Sequence, residues 1–444
     1  MHIILLSGGS GKRLWPLSNG VRTKVFLRLL EGPDGHAESM IERVFRQLDA
    51  AGLLTSAVVV SHHSQTEMTR NHIGDRIPII SEPFRRGTFP AVSLAAVYLH
   101  SITNANSDDI VCFLPADLFV DPNFFETIKQ LPAILNHSGA DLAIIGTTPL
   151  HPSSQFGYIV PKKSGYRNFY RAVSQFIEKP DEQNARRLIK NQALWNCGVY
   201  AFRLDFLLSA LTKRNLPLRY ADFILQMKQM PELSFDREIA EHTRNMVVAP
   251  YDGFWYDLGS WEALTTKIGS NVIGKGTVSE HSNNSHLINE LSIPIHVIGG
   301  KNLIVAAGPD GILVANKGIS HLIKDVLHHK ENNPQIMYEE KRWGSKQVLD
   351  HLVAGEMETR TVKIKIAAGM QTSYHYHIER NEAIIVLDGL GEVVKDGTTS
   401  PVMVGDVLEI PHGCKHAIKA ITALTCIQIQ NGRRVKDDDH FQVF

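Results

Sequence analysis

Ile3-Ile4-Leu5-Leu6-Ser7-Gly8-Gly9-Ser10-Gly11-Lys12-Arg13-Leu14 joins a buried-strand pattern to a glycine loop that carries two cations. Glycines let backbone N–H groups approach phosphate oxygens where a Cβ would collide, and Lys12 or Arg13 can meet the remaining negative charge. Two other phosphate loops fail on spacing. A Walker loop needs a glycine where Leu6 stands and a Ser or Thr where Arg13 stands. A dinucleotide fingerprint needs a third glycine at the position of Leu14. A glycine turn without a ligand is the remaining reading of the loop alone.

The text continues in the same style to residue 265. The runs Ala57-Val58-Val59-Val60, Ile110-Val111-Cys112-Phe113-Leu114 and Leu142-Ala143-Ile144-Ile145 read as buried strands, and 38–48 and 90–99 read as helices. This alternation predicts an α/β domain over 1–265, with a mainly parallel sheet covered by helices and ligands at the carboxyl ends of its strands. Over 266–335 short apolar segments separated by Gly, Asn and Asp predict a β-rich connector, with Glu331-Asn332-Asn333-Pro334 as a linker. From 336 to 444 alternation between turn glycines predicts an all-β domain.

Composition narrows the classes of function. The chain has 444 residues, 43% of them hydrophobic, enough for two or three domains. Its 46 basic and 46 acidic residues leave a formal net charge of zero, so neither nucleic acid nor an anionic membrane is expected as a partner. Cys112, Cys197, Cys414 and Cys426 are scattered through apolar text and read as reduced core thiols. The glycine loop interrupts the first apolar run before it can serve as a signal core, and no membrane-length segment follows; a cytoplasmic location is expected.

Two carboxylates stand out. Asp117 ends the apolar run Leu114-Pro115-Ala116 and should leave the sheet at the edge that bears the glycine loop. Asp257 lies in Trp255-Tyr256-Asp257-Leu258-Gly259-Ser260-Trp261. An isolated Asp at a strand end is commonly a cap or turn residue; two that converge could hold a metal.

The loop with its continuation, GGSGKRLWPLS and then Arg22-Thr23-Lys24-Val25-Phe26-Leu27, resembles the sugar-phosphate nucleotidyltransferases, particularly the mannose-1-phosphate guanylyltransferases, whose usual form is GGSGTRLWPLS and then PKQFL. The resemblance implies a Rossmann-like nucleotidyltransferase domain. In it Leu6, Gly8, Gly9 and Gly11 would surround a nucleoside triphosphate, Arg13 and Lys24 would act on phosphates, and Asp117 and Asp257 would hold Mg²⁺. Phe176-Ile177-Glu178-Lys179-Pro180 matches the family's F-x-E-K-P, where Glu178 would contact sugar hydroxyls and Lys179 the sugar phosphate. Gly157 and Asn196 match further sugar-contacting positions. Glu82-Pro83-Phe84-Arg85-Arg86-Gly87-Thr88-Phe89-Pro90-Ala91 corresponds to E-P-x-x-R-N-T-A-P-A, which makes Arg86 and Thr88 nucleotide contacts. Gly87 and Phe89 depart from that pattern and leave the base open, with GTP the first choice. The reaction would bring a hexose-1-phosphate, mannose-1-phosphate first, against the α-phosphorus of the triphosphate and release pyrophosphate, with no protein nucleophile required.

Gly369, His375, His377, Glu382 and Gly389 match the first cupin motif, and Gly405, Pro411, Gly413 and His416 match the second. Alternation puts His375 and His377 on one strand face, where with Glu382 and His416 they could hold a divalent transition metal. The whole order resembles the bifunctional mannose-1-phosphate guanylyltransferase and mannose-6-phosphate isomerase proteins, and implies a jelly-roll cupin. Their usual H-x-H-R-x-E-H-W is absent here, so metal binding is separated from isomerase activity: no general base is identifiable. Open alternatives are a metal-cupin isomerase or epimerase whose first domain binds a nucleotide sugar, and a nucleotidyltransferase for another base or sugar-1-phosphate. The connector's strands offer edges that a second copy could cover, so a homodimer is expected.

Overall fold

The computed structural model of the chain describes residues 1–9, 11, 13–162, 169–328 and 336–443. Ser10 and Lys12 of the loop, and the expected linker at 331–334, lie outside them. The chain forms two compact units. The opening strand and residues 24–269 make up the first, and residues 11–23 with 270–444 make up the second.

In the first unit one sheet is built from β1 (His2–Leu6), β2 (Ala57–His62), β3 (Ile79–Glu82), β4 (Ile110–Pro115), β5 (Leu142–Thr147), β6 (Tyr158–Pro161), β7 (Arg171–Ile177), β8 (Leu194–Arg203) and β9 (Met246–Tyr251). Their spatial order is β3-β2-β1-β4-β8-β5-β9-β7-β6. β1 runs parallel between β2 and β4, with Leu5 opposite Val59 and Leu114. Ile3, Ile4 and Leu5 are fully buried, which is why that run is uninterrupted by polar residues. The sheet is more mixed than expected. β8 enters between β4 and β5 antiparallel to both, and β7 is antiparallel to both β9 and β6. Apolar patterning cannot reveal this, because a strand buried on both faces reads the same in either direction.

The helix Thr88–Ser101 is almost wholly buried and apolar all round, as befits an element packed between layers. It starts at Thr88, two residues before Pro90, behind the N-cap Gly87, whose φ is +87° and whose added Cβ would lie 2.3 Å from the Leu233 carbonyl oxygen. The helix Met40–Ala50 starts at a capping box formed by Ser39 and Glu42. At the functional edge of the sheet, Ala116 N–H donates to Leu6 O at 2.9 Å. The glycine loop and Asp117 therefore leave the sheet side by side. No helix of the described residues is long and apolar enough to cross a membrane.

The second unit begins as stacked β coils. Val272–Gly274, His286–Asn289 and Leu303–Gly308 pair in parallel, one upon the next, and Gly311–Asn316 closes that sheet antiparallel. Gly276–Val278 and Ile295–Val297 form a parallel pair of their own, with Leu287, Val297 and Val305 buried in the coil interior. A six-stranded and a five-stranded sheet follow from Tyr338, enclosing a core that includes Val362, Ile364, Ile384, Val386, Ile418 and Cys426. The four cysteines are free and buried.

Candidate active site and metal centre

After β4 the chain forms a short ribbon in which Leu118–Val120 pairs antiparallel with Trp255–Asp257, placing Asp257 opposite Leu118. That register brings Asp257 beside Asp117. Lys24 opens the turn Lys24–Phe26, whose Val25 and Phe26 are buried and fix its base. Its ammonium lies 2.6 Å from Asp117 Oδ2 and 3.3 Å from Asp257 Oδ1. Three residues separated by up to 233 positions thus form one cluster. Two carboxylates face this one ammonium, and all three side chains stay partly open to solvent. A hard divalent cation such as Mg²⁺ fits this donor set, which is made of carboxylate oxygens.

The glycine loop is divided between the units. A Cβ added at Gly8 or Gly9 would meet none of the described residues within 4 Å. Leu6 packs partly against the core and spends its carbonyl on Ala116. Gly11 has φ +68° and approaches Asn19 so closely that a Cβ would fall 1.8 Å from the Asn19 carbonyl oxygen. Arg13 is exposed and, like Gly11, belongs to the second unit.

The sugar-site candidates come together on β6, β7 and β8. A Cβ on Gly157 would lie 2.7 Å from Glu178 Oε2 and 2.9 Å from the Phe176 ring, and Asn196 N–H donates to Gly157 O at 2.9 Å. Lys179, with φ +48°, sends its ammonium to Glu178 Oε1 at 3.0 Å. Burial, with the nearby Asp236 charge, raises the Glu178 carboxyl above its ordinary range, and Lys179 partly offsets this. Asn196 is already well employed: its Nδ2 donates to Tyr200 Oη at 2.6 Å and Asp236 Oδ1 at 3.1 Å, and its Oδ1 accepts from Gly198 N–H at 2.9 Å. Tyr200 also donates to Asp236. Sequence reasoning missed Tyr200 and Asp236. Tyr200 was legible as the fourth residue beyond Asn196 on the same strand, whereas nothing local marks Asp236.

Arg86 and Thr88, the expected nucleotide contacts, already have partners within the protein. Arg86 donates to the Met227 and Lys228 carbonyls at 3.3 and 2.8 Å, closing the end of the helix Tyr220–Met227. Thr88 Oγ1 accepts from Phe235 N–H at 2.8 Å. Both side chains serve helix ends, whose unmatched backbone groups need partners.

Beside them Glu82, at the carboxyl end of β3, is buried, and its Oε1 has no hydrogen-bond partner among the described residues. Burial pushes its carboxyl up to about 7, against smaller opposing effects from the Arg86 backbone N–H and the Arg85 charge. A folded pKa above the unfolded value means stability that is fully present below about pH 4.5 and lost as pH rises through about 7. Glu82→Gln should therefore raise the melting temperature above that of the parent, the gap widening from about pH 5 to about pH 8 and reaching at most about 3 kcal/mol. A gap constant across that range would refute the burial argument.

In the cupin sheets His375 pairs directly with His416 across adjacent strands. Among the described residues His375, His377 and His416 form one buried cluster, with one ligand nitrogen from each all within 4.8 Å of one another. Every Nδ1 faces a backbone carbonyl: His375 that of Ser373 at 2.8 Å, His377 that of Asp439, and His416 that of Cys414 at 3.1 Å. Carbonyls only accept, so each Nδ1 carries the proton and each Nε2 presents a lone pair. His375 Nε2 and His377 Nε2 then stand 3.1 Å apart, while the buried His416 Nε2 has no hydrogen bond among the described residues. Protonation is a poor remedy, because burial and the neighbouring imidazoles push His375 down to about 3. A divalent transition metal fits converging imidazole lone pairs held by outer hydrogen bonds.

Glu382 reaches the cluster from the other sheet, its carboxylate 3.1 Å from His377 Nε2 and 3.4 Å from His416 Nε2. It is held by Arg380 Nε at 3.0 Å, Gln430 Nε2 at 2.9 Å and Gln428. These three supports were missed, although the period-two spacing of Arg380 with Glu382, and of Gln428 with Gln430, would have placed each pair on one face.

Comparison with known proteins agrees with this arrangement. Residues 362–428 match the family model described as a cupin domain. The chain is 29% identical to the mannose-1-phosphate guanylyltransferase RfbM of Salmonella typhimurium, over 98% of this chain and 95% of that protein. It is 27% identical to the alginate biosynthesis protein AlgA of Pseudomonas aeruginosa, over 98% and 95%. A solved structure from Thermus thermophilus, described as a mannose-1-phosphate geranyltransferase, shares the fold with a TM-score of 0.61 and 23% identity, covering 74% of this chain and 99% of that one. Residues 2–269, which contain the Lys24–Asp117–Asp257 cluster and the sugar-site candidates, match the nucleotidyl transferase model, and to that family this chain belongs.

Proposed function

We propose that the chain makes a nucleoside diphosphate sugar, with GDP-mannose the first choice, from a hexose-1-phosphate and a nucleoside triphosphate, releasing pyrophosphate. The observation that carries this reading is the cluster of Lys24 with Asp117 and Asp257 beside the glycine loop. The names of the full-length relatives support mannose-1-phosphate and GTP as the substrates to try first. Mg²⁺ held by Asp117 and Asp257 would neutralise phosphate charge as the two anions meet. Gly8 and Gly9 would offer backbone N–H groups to the triphosphate, with Arg13 and Lys24 balancing charge on the departing pyrophosphate. Glu178 and Lys179 would orient the sugar and its phosphate, whose oxygen attacks the α-phosphorus in line while the bond to pyrophosphate breaks.

Purified protein with Mg²⁺ should release pyrophosphate for one pairing in a panel of nucleoside triphosphates and sugar-1-phosphates. Release from no pairing would overturn the reading, and the productive pair names base and sugar together. For the cupin we propose a bound divalent transition metal on His375, His377, His416 and Glu382. A sugar-phosphate isomerase activity is the second reading, favoured by the buried imidazole cluster and read separately by mannose-6-phosphate conversion. A cytoplasmic homodimer is the setting we propose for both.

A further inference from the structure

Residues 11–23 fold with the second unit, and the side chains that tie them there lie far away in sequence. Arg22 Nη1 and Nη2 donate to Glu290 Oε2 and Oε1 at 2.7 and 2.9 Å, a bidentate pair. Arg22 Nε lies 3.4 Å from Glu340, and its guanidinium carbon sits 5.3 Å from the centroid of the Tyr338 ring. Asn19 Nδ2 donates to Asp310 Oδ2 at 2.7 Å and to Tyr338 O at 3.2 Å, while its Oδ1 accepts from Val21 and Arg22 N–H. The other oxygen of Asp310 accepts from Met337 N–H at 2.7 Å. Packing reinforces the polar ties: a Cβ on Gly311 would lie 2.5 Å from the Trp15 ring, and one on Gly308 would lie 3.0 Å from Leu17.

The same segment ends against the glycine loop. Asn19 O occupies the space a Cβ on Gly11 would need, and Ser18 Oγ donates to Gly11 O. Gly11 therefore takes its place from Ser18 and Asn19. Asn19 in turn is set by Asp310 of the β coils and by Tyr338 of the first cupin strand, Tyr338–Lys341, and it accepts from the backbone N–H of Arg22, whose guanidinium is held by Glu290 and Glu340.

We propose that Arg22 and Asn19 are positioning residues that hold Gly11 of the glycine loop in place, so that nucleotide binding depends on them. This rests on the transferase reading above. Neither residue need touch a substrate. A bidentate guanidinium–carboxylate pair with little exposed surface fixes orientation as well as distance, and removing one partner strands the other charge. Removing the clamp should therefore act on the nucleotide and leave the sugar phosphate alone.

The test is steady-state pyrophosphate release by the full chain carrying Arg22→Ala, Arg22→Lys or Glu290→Gln. Nucleotide KM should rise about tenfold in Arg22→Ala, and less in Arg22→Lys, which keeps the charge but cannot make the bidentate contact. The KM for sugar-1-phosphate should stay within about twofold. A residue that merely stabilises the fold would instead lower the melting temperature and the active fraction with both KM values unchanged, and that result overturns the proposal. Should Arg22→Ala fail to fold, Arg22→Lys and Glu290→Gln decide the question by the same two KM values. If the parent protein releases no pyrophosphate, the transferase reading fails; the clamp is then judged by calorimetry with Mg²⁺-GTP, where Arg22→Ala should weaken Kd about tenfold and an unchanged Kd refutes it.

Discussion

Asp117→Asn is expected to cut pyrophosphate release by about a hundredfold to a thousandfold while leaving the fold intact. The effect turns on charge. In the parent, Asp117 and Asp257 share the Lys24 ammonium at 2.6 and 3.3 Å, and their carboxylate oxygens are the groups that would hold a second cation. Asparagine keeps the shape of Asp117 but removes one of the two negative charges, which weakens the pull on Mg²⁺. The partly exposed Asp117–Lys24 pair contributes about 1 kcal/mol or less to stability, so melting should hardly change. Pyrophosphate release measured against Mg²⁺ concentration, with thermal melting alongside, checks both halves. Full activity at ordinary Mg²⁺ would remove Asp117 from the metal assignment.

His377→Ala should release the cupin metal. The parent, loaded with a divalent transition metal and dialysed, should retain about one ion per chain, and the variant less than about a tenth of that. Three imidazoles whose Nδ1 protons are committed to carbonyls hold their lone pairs inward at a fixed separation, so deleting one removes a ligand that the fold holds in place. Arg380, whose Nη2 lies 3.3 Å from His377 Nε2, is a cation and cannot substitute. Metal content by elemental analysis decides the matter. Equimolar metal in the variant would show that the imidazole cluster is not the binding site, and mannose-6-phosphate conversion is a separate measurement.

Much of the site was legible because its signals are local. A glycine loop behind an apolar strand, an aspartate at the end of another, and histidines two apart are short patterns whose chemistry follows from backbone geometry. The strand Ile110–Pro115 had to end near the loop once it paired with His2–Leu6, so Asp117 could be assigned from the text. Arg86 and Thr88 show the opposite case. Nothing in their motif announces the partners of their side chains, Met227, Lys228 and Phe235, which lie more than a hundred residues away. Asp236 was invisible for the same reason, since its meaning comes only from Asn196 and Tyr200 across the packed core.

By itself the sequence determined the two kinds of domain and marked as candidates the glycine loop, the carboxylates Asp117 and Asp257, and the three cupin histidines with Glu382. Each depends on a spacing of a few residues, and a strand or tight turn converts such a spacing directly into a direction. Only the tertiary structure decided that residues 11–23 leave the first unit, that Arg22 meets Glu290 and Glu340, and that the central sheet admits an antiparallel strand. Those outcomes depend on which distant surfaces bury together. An arginine or a doubly buried strand carries no local mark of its partner, because burial and charge pairing are satisfied by any complementary group that the fold brings within reach.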